Sequence, residues 1–220
     1  MKKDCRLNEE QIARRIAREI KEGYCVNLGA GQIPFLVSQS CPVPAMFHVE
    51  MGLLGVGKIA PDNKKDQDLI GLGRRAILAA PGASAFSSVD SLAMMRGKHF
   101  DMSILGAYQV AENGDLANWW LPSFVPQVGG AMDVASNVKK LVITMDHVTK
   151  EGKPKIVKEC TLPITAKRVV SLIFTDIAFI EVTPKGLVLK EVAPGFTVEE
   201  IQEVTEPKLI VTDETTTMDL

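Results

Sequence analysis

YCVNLGAGQIP, residues 24–34, and AMFHVEMGLLGVG, residues 45–57, decide how this chain folds. Tyr24 to Leu28 is a short, mostly apolar run, and the glycine-rich turn Gly29-Ala30-Gly31 follows it before Phe35, Leu36 and Val37 open a helix. Ala45 to Val49 reads as a second buried strand running directly into Glu50, with glycines at 52, 55 and 57. A carboxylate therefore stands at a strand end, beside chain that small residues leave open.

Upstream, Asn8 followed by Glu9, Glu10 and Gln11 is an N-cap with acidic residues at the positive end of a helix. Ile12, Ile16 and Ile20 repeat at four-residue spacing, and Gly23 ends the segment. Downstream, strands are expected at residues 76–79, 102–105, 141–144 and 172–174, with helices near 88–95 and 197–204. Alternation of this kind predicts an α/β layered sheet. At 220 residues the chain suits one domain, 1–220, and the polar stretch from Thr212 has too few apolar residues to pack, so a mobile tail is expected there.

Charge narrows the function. Lys and Arg number 25 against 27 Asp and Glu, so no basic excess attracts a phosphate backbone, and nucleic acid is not an expected partner. Cys5, Cys25, Cys41 and Cys160 are scattered without a CxxC, which suits reduced thiols in the cytoplasm and spells no zinc site. No signal-peptide core or membrane-length apolar run is present, so the expected protein is cytoplasmic, with no membrane partner.

Several motifs invite specific chemistry. Gly29 and Gly31 after a strand, with Glu50 about 20 residues on, suggest a dinucleotide fingerprint, but Pro34 stands where its last glycine is needed. The turn is then either strand-to-helix punctuation or a set of free amides for an anion. Gly82-Ala83-Ser84-Ala85-Phe86 lacks the second glycine of a nucleophile elbow, so Ser84, Ser87 and Ser88 read as helix-capping residues. His48, His99 and His147 stand apart from one another and from any nucleophile, and no metal site is assigned. Glu50 is either a salt-bridged loop carboxylate or a group open to substrate, and Gly129-Gly130 is a second place where backbone can approach a ligand.

Taken in order, VNLGAGQIP (26–34), FHVEMGLLGVG (47–57), PGASAFSSVDSLAMMRGKH (81–99), LGAYQVAENGDLANWWLP (105–122), GGAMD (129–133) and KKLVITMDHVTKEGKPKIVKECTLPIT (139–165) resemble the β subunit of 3-oxoacid coenzyme A transferases over nearly the whole chain. The resemblance implies a three-layer α/β/α sandwich of the NagB/RpiA/CoA-transferase type. It also implies an α subunit of similar fold as partner, in a heterodimer or heterotetramer. The implied reaction moves coenzyme A from an acyl-CoA, a 3-oxoacyl or short-chain one, to a carboxylic acid by a ping-pong route through a glutamyl-CoA thioester. Coenzyme A is then a substrate and no cofactor is expected. The family's nucleophilic glutamate matches Glu50, and its oxyanion and thioester contacts fall on loops matching Asn27 and Gly129-Gly130. Gly29, Gly31, Met51 and Gly52 join these as expected substrate or coenzyme A contacts, and Arg74 aligns with a position that could meet a phosphate.

Two departures bear on mechanism. The family's nucleophile usually sits in Ser-Glu-Asn-Gly, whereas here it sits in Val49-Glu50-Met51-Gly52, so two polar neighbours have become apolar. Less polar surroundings raise the pKa of a buried glutamate, and Met51 is expected to line a pocket for an apolar acyl chain. The glycine loop is one residue longer than usual, and Gln127-Val128 replaces a small, glycine-containing step. Alternative readings are an acyl-CoA hydrolase or decarboxylase on the same fold, and a noncatalytic partner in a larger assembly.

Overall fold

The computed structural model describes residues 5–71, 75–122 and 128–220. The first helix, α1 (Glu9–Ala17), starts as its sequence demands: the Asn8 side chain accepts from the Gln11 amide and the Gln11 side chain accepts from the Asn8 amide, a reciprocal capping box. It ends at Ala17, short of Gly23, although Ile20 still packs into the core. Then follow β1 (Cys25–Leu28), α2 (Gln32–Ser40), β2 (Met46–Val49), β3 (Leu53–Ile59), β4 (Ile77–Ala85) and α3 (Ser88–Arg96). The chain continues with β5 (Met102–Gly106), β6 (Gln109–Ala111), β7 (Leu116–Ala117), α4 (Ala131–Asn137), β8 (Lys140–Thr144) and β9 (Ile156–Val157). It closes with β10 (Val170–Phe174), β11 (Ala178–Thr183), β12 (Gly186–Val192), α5 (Val198–Glu203) and β13 (Thr216–Thr217).

Ten of these strands form one sheet in the order β13-β12-β11-β10-β8-β5-β1-β2-β3-β4. Its centre, β10-β8-β5-β1-β2, is parallel, and antiparallel pairs flank it. The central strands are apolar along their length because both faces are covered; Val26, Met102, Ile104, Val142, Ile143 and Ile173 are fully buried. From β1 the chain crosses through α2 to β2 on one side, and from β5 it crosses through α4 to β8 on the other. Right-handed crossovers in opposite directions put α2 and α4 on opposite faces, which makes the three-layer α/β/α arrangement. Helix α1 packs against α2, and α3 against α4. A second, three-stranded sheet, β7-β6-β9, is built from chain on either side of β8.

Three local expectations are corrected. The segment from Pro81 to Ala85 is not a loop but the second half of β4, at the sheet edge, where a proline costs no ladder hydrogen bond. Of the serines around it, Ser84 is in that strand, while Ser87 caps α3 by accepting from the Asp90 amide. The segment predicted as a mobile tail is docked: β13 pairs in parallel with β12, the Met218 amide donates to the Val192 carbonyl, and the Met218 side chain is buried. No helix among the described residues is long and apolar enough to cross a membrane.

Candidate active site

Strand order reverses beside β1, since β2 lies on one side of it and the later strand β5 on the other. In an open parallel sheet the carboxyl ends of strands at such a switch point diverge and leave a crevice. Here that crevice is a cavity of about 700 Å³. Its walls come from the ends of successive strands: Glu50 after β2, Gly29 after β1, Leu105 and Gly106 of β5, Thr144 and Met145 at β8, and Asp176 after β10. The small sheet contributes Tyr108, Asn118 and Lys155 to the same cavity, and α1 contributes its first turn.

Glu50 is held by the turn that reverses β2 into β3. The Gly52 amide donates to the Val49 carbonyl at 3.0 Å, and the Gly52 carbonyl accepts from the Phe86 amide at 2.9 Å. Gly52 has φ +114°, and a Cβ there would stand 2.0 Å from the Phe86 carbonyl oxygen, so only glycine fits. The turn directs the Glu50 carboxylate onto Gly130, where a Cβ would meet Oε2 at 2.3 Å. Gly130 is the N-cap of α4 and offers no side-chain cap, which leaves first-turn amides without an intrahelical partner. Burial raises the pKa of Glu50 above the ordinary glutamate range. Gly29 serves close packing: its amide donates to the Ile104 carbonyl, and a Cβ would collide with that oxygen at 2.7 Å.

Beneath Glu50 lies a buried polar chain. Ser103 Oγ donates to Asn27 Oδ1 (2.8 Å), Asn27 Nδ2 donates to His48 Nδ1 (3.1 Å), and His48 Nε2 meets Ser91 Oγ at 2.9 Å. With Nδ1 accepting, the proton sits on Nε2 and is donated to Ser91. Burial pushes the His48 imidazole down to about 4, so the ring is neutral. This chain ties β5, β1 and β2 to α3 directly under the nucleophile's turn.

Of the site residues expected from sequence, Glu50, Gly29, Gly129 and Gly130 come together on the cavity wall. Asn27 does not line it. Its side chain is 1% exposed and spent on His48 and Ser103, on the face toward α3 and α4. Met51 is corrected too: at 60% exposure it points to solvent from the turn and lines no part of the cavity. Gly31 is the N-cap of α2, and Gly52 acts through its backbone conformation; neither lines the cavity. Arg74 lies outside the described residues. Lys155, Thr144, Asn118 and Tyr108 were not singled out from sequence. Lys155 follows one apolar strand and precedes another, so a buried environment for it was the one legible signal.

Residues 9–204 match the family model described as Coenzyme A transferase. The chain is 44% identical over 209 residues to the B-type subunit of the 3-oxoadipate CoA-transferase of Acinetobacter baylyi, covering 93% of this chain and 96% of that one. It is 41% identical over 203 residues to the B-type subunit of the succinyl-CoA:3-ketoacid coenzyme A transferase of Helicobacter pylori, covering 92% and 98%. Among solved structures, glutaconate coenzyme A-transferase from Acidaminococcus fermentans matches with a TM-score of 0.72 at 18% identity, covering 97% of this chain and 89% of that one. An acyl-CoA transferase of Escherichia coli O157:H7 matches with a TM-score of 0.74 at 20% identity over 97% of this chain, which spans 43% of that longer one. The two structural likenesses speak to the fold.

Proposed function

Since this chain belongs to the coenzyme A transferase family, we propose that it is the glutamate-bearing subunit of a heteromeric enzyme in which Glu50 carries coenzyme A between two carboxylic acids. The observation that supports this most directly is the Glu50 carboxylate, inside the cavity and against the Gly130 backbone.

The chemistry follows from a carboxylate nucleophile. A Glu50 oxygen attacks the acyl-CoA thioester carbonyl, the C–S bond breaks, and coenzyme A leaves as thiolate with an acyl-glutamyl anhydride behind it. The thiolate then attacks the glutamyl carbonyl and expels the first acid as its carboxylate, leaving a glutamyl-CoA thioester. A second carboxylate reverses both steps and departs as the new acyl-CoA. Each addition passes through an oxyanion, for which backbone amides at the Gly129-Gly130 turn are the candidate donors. Binding energy from the nonreacting parts of coenzyme A offsets the uphill formation of the anhydride. The raised pKa of Glu50 reflects a poorly solvated carboxylate, which is a stronger nucleophile than a hydrated one.

The relatives' names supply two further parts of the proposal: a complementary α-type partner, in a heterodimer or heterotetramer, and a 3-oxoacyl-CoA or short-chain acyl-CoA as donor. The test is intact-protein mass spectrometry of the chain assembled with that α-type partner, following its mixing with acetoacetyl-CoA or succinyl-CoA and no acceptor acid. A coenzyme A adduct on Glu50 that a carboxylic acid discharges is the expected result. Product formed without any acceptor would favour a hydrolase or decarboxylase, and a Glu50→Ala assembly of full activity would make this chain a noncatalytic partner.

A further inference from the structure

The cavity wall across the sheet from Glu50 carries a cation that the chemistry at Glu50 does not use. Lys155 is held by its main chain, its amide donating to the His147 carbonyl at 3.1 Å and its carbonyl accepting from the Val110 amide at 3.0 Å. Its side chain lines the same cavity as Glu50 and, among the described residues, makes no hydrogen bond or ion pair. Burial lowers its pKa, and the opposing pull of Asp146 and Asp176 only partly offsets this. Asp176 is committed elsewhere: it pairs with Arg6 and accepts from the His147 amide, while Asp146 is exposed to water. On the same wall Thr144 is 6% exposed and its hydroxyl has no partner. An ammonium short of solvent and a buried, unpaired hydroxyl each cost free energy in the empty cavity, and both costs are relieved by one anion with acceptor oxygens.

Position decides which anion. The ends of β2 and β8 are three strand spacings apart, about 14 Å, and the Glu50 and Lys155 side chains both project into that gap. The remaining span suits a few carbons rather than the pantetheine arm that separates a thioester from the coenzyme A phosphates. We infer that Lys155, with Thr144, receives the second, nonreacting carboxylate of a dicarboxylic acid whose other carboxyl group reacts at Glu50. The inference rests on the proposed role of Glu50. Lys155 is then a specificity-determining residue, favouring dicarboxylic over monocarboxylic acids because a neutral chain end leaves the cation unpaired.

The test starts from the assembled heteromer charged as its coenzyme A adduct and compares succinate with butyrate, which matches it in length, as discharging acid. In Lys155→Met the succinate concentration for half-maximal discharge should rise about ten- to hundredfold, the worth of a hydrogen bond to a charged group. Butyrate discharge and acyl-CoA loading should be unchanged, and Lys155→Arg should restore succinate discharge. Equal losses for both acids, or weaker loading alone, would overturn the inference, the latter by putting Lys155 on a coenzyme A phosphate. Calorimetry of succinate binding to the uncharged heteromer separates this result from the Glu50 reading. If no adduct ever forms but Lys155→Met abolishes succinate binding, Lys155 is still the carboxylate receptor; if wild type binds no succinate, it is not.

Discussion

Glu50 leaves residue 130 no room for a side chain: a Cβ there would stand 2.3 Å from Oε2 and 3.0 Å from Cδ of the carboxylate. The two residues are 80 positions apart in sequence, and their contact exists because the sheet order brings the end of β2 and the start of α4 to one crevice.

Gly130→Ala should therefore damage chemistry more than folding. Gly130 has φ −80° and ψ −6°, which alanine adopts without strain, so stability should change by less than about 1 kcal/mol. Displacing the carboxylate should slow coenzyme A adduct formation about 100-fold. Adduct rates and denaturant midpoints of the variant check both halves; wild-type rates would mean that Glu50 can give way without loss.

Gly52→Ala should do the opposite. With φ +114° and the Phe86 carbonyl 2.0 Å from a new Cβ, the turn after β2 must distort, at a cost of about 1–3 kcal/mol from backbone strain alone. A lower denaturant midpoint is expected even before activity is assayed, and an unchanged midpoint would contradict the turn geometry.

Acid should unfold the protein through its buried histidines. Burial pushes His48 down to about 4 and His147 to about 3, against about 6.5 for a solvated imidazole. The unfolded chain binds protons that the folded chain refuses, so stability is full above the unfolded value and falls as pH drops toward 4. The slope should approach about 2.7 kcal/mol per pH unit when both rings contribute. His48→Gln should flatten the denaturant midpoint's pH dependence by about half; an equal slope would mean that His48 titrates normally.

Activity should also have an acid limb set by Glu50. Only the ionised carboxylate attacks a thioester, and burial raises its pKa, so the rate of adduct formation should fall at a pH above that at which a solvated glutamate protonates. The same shift has the opposite sign for stability: the folded state prefers the protonated form, and its contribution is lost as pH rises through the raised value. Glu50→Gln should accordingly abolish the adduct while being at least as stable as wild type at neutral pH, measured by denaturant titration. A markedly destabilised Gln variant would point to a structural salt bridge for the carboxylate instead.

Much of this was legible beforehand, and the parts that were not have identifiable causes. The α1 cap, the strands ending at Leu28 and Val49, and a helix running to Asn137 were readable because caps, glycines and apolar runs act over a few residues. β3 was hidden because Gly55 and Gly57 look like loop, although both sit against β4: Gly55 at φ +93° and Gly57 packed on the Leu78 carbonyl. Met51 misled because an apolar residue beside the nucleophile suggests a pocket, while the turn's geometry sends it outward.

The amino-acid sequence by itself determined the α/β class, the single acidic residue at the end of β2 and the glycines that let backbone come close, since each depends on local sterics and periodicity. Only the tertiary structure decided that Asn27 faces inward to His48, that Glu50 rests on Gly130, and that Lys155 shares their cavity. The physical reason is that β1 is covered on both faces, so no alternation reveals which side a polar residue takes. Which strand ends meet is set by the order in which crossovers bury the apolar strands, a long-range outcome of packing that no short segment contains.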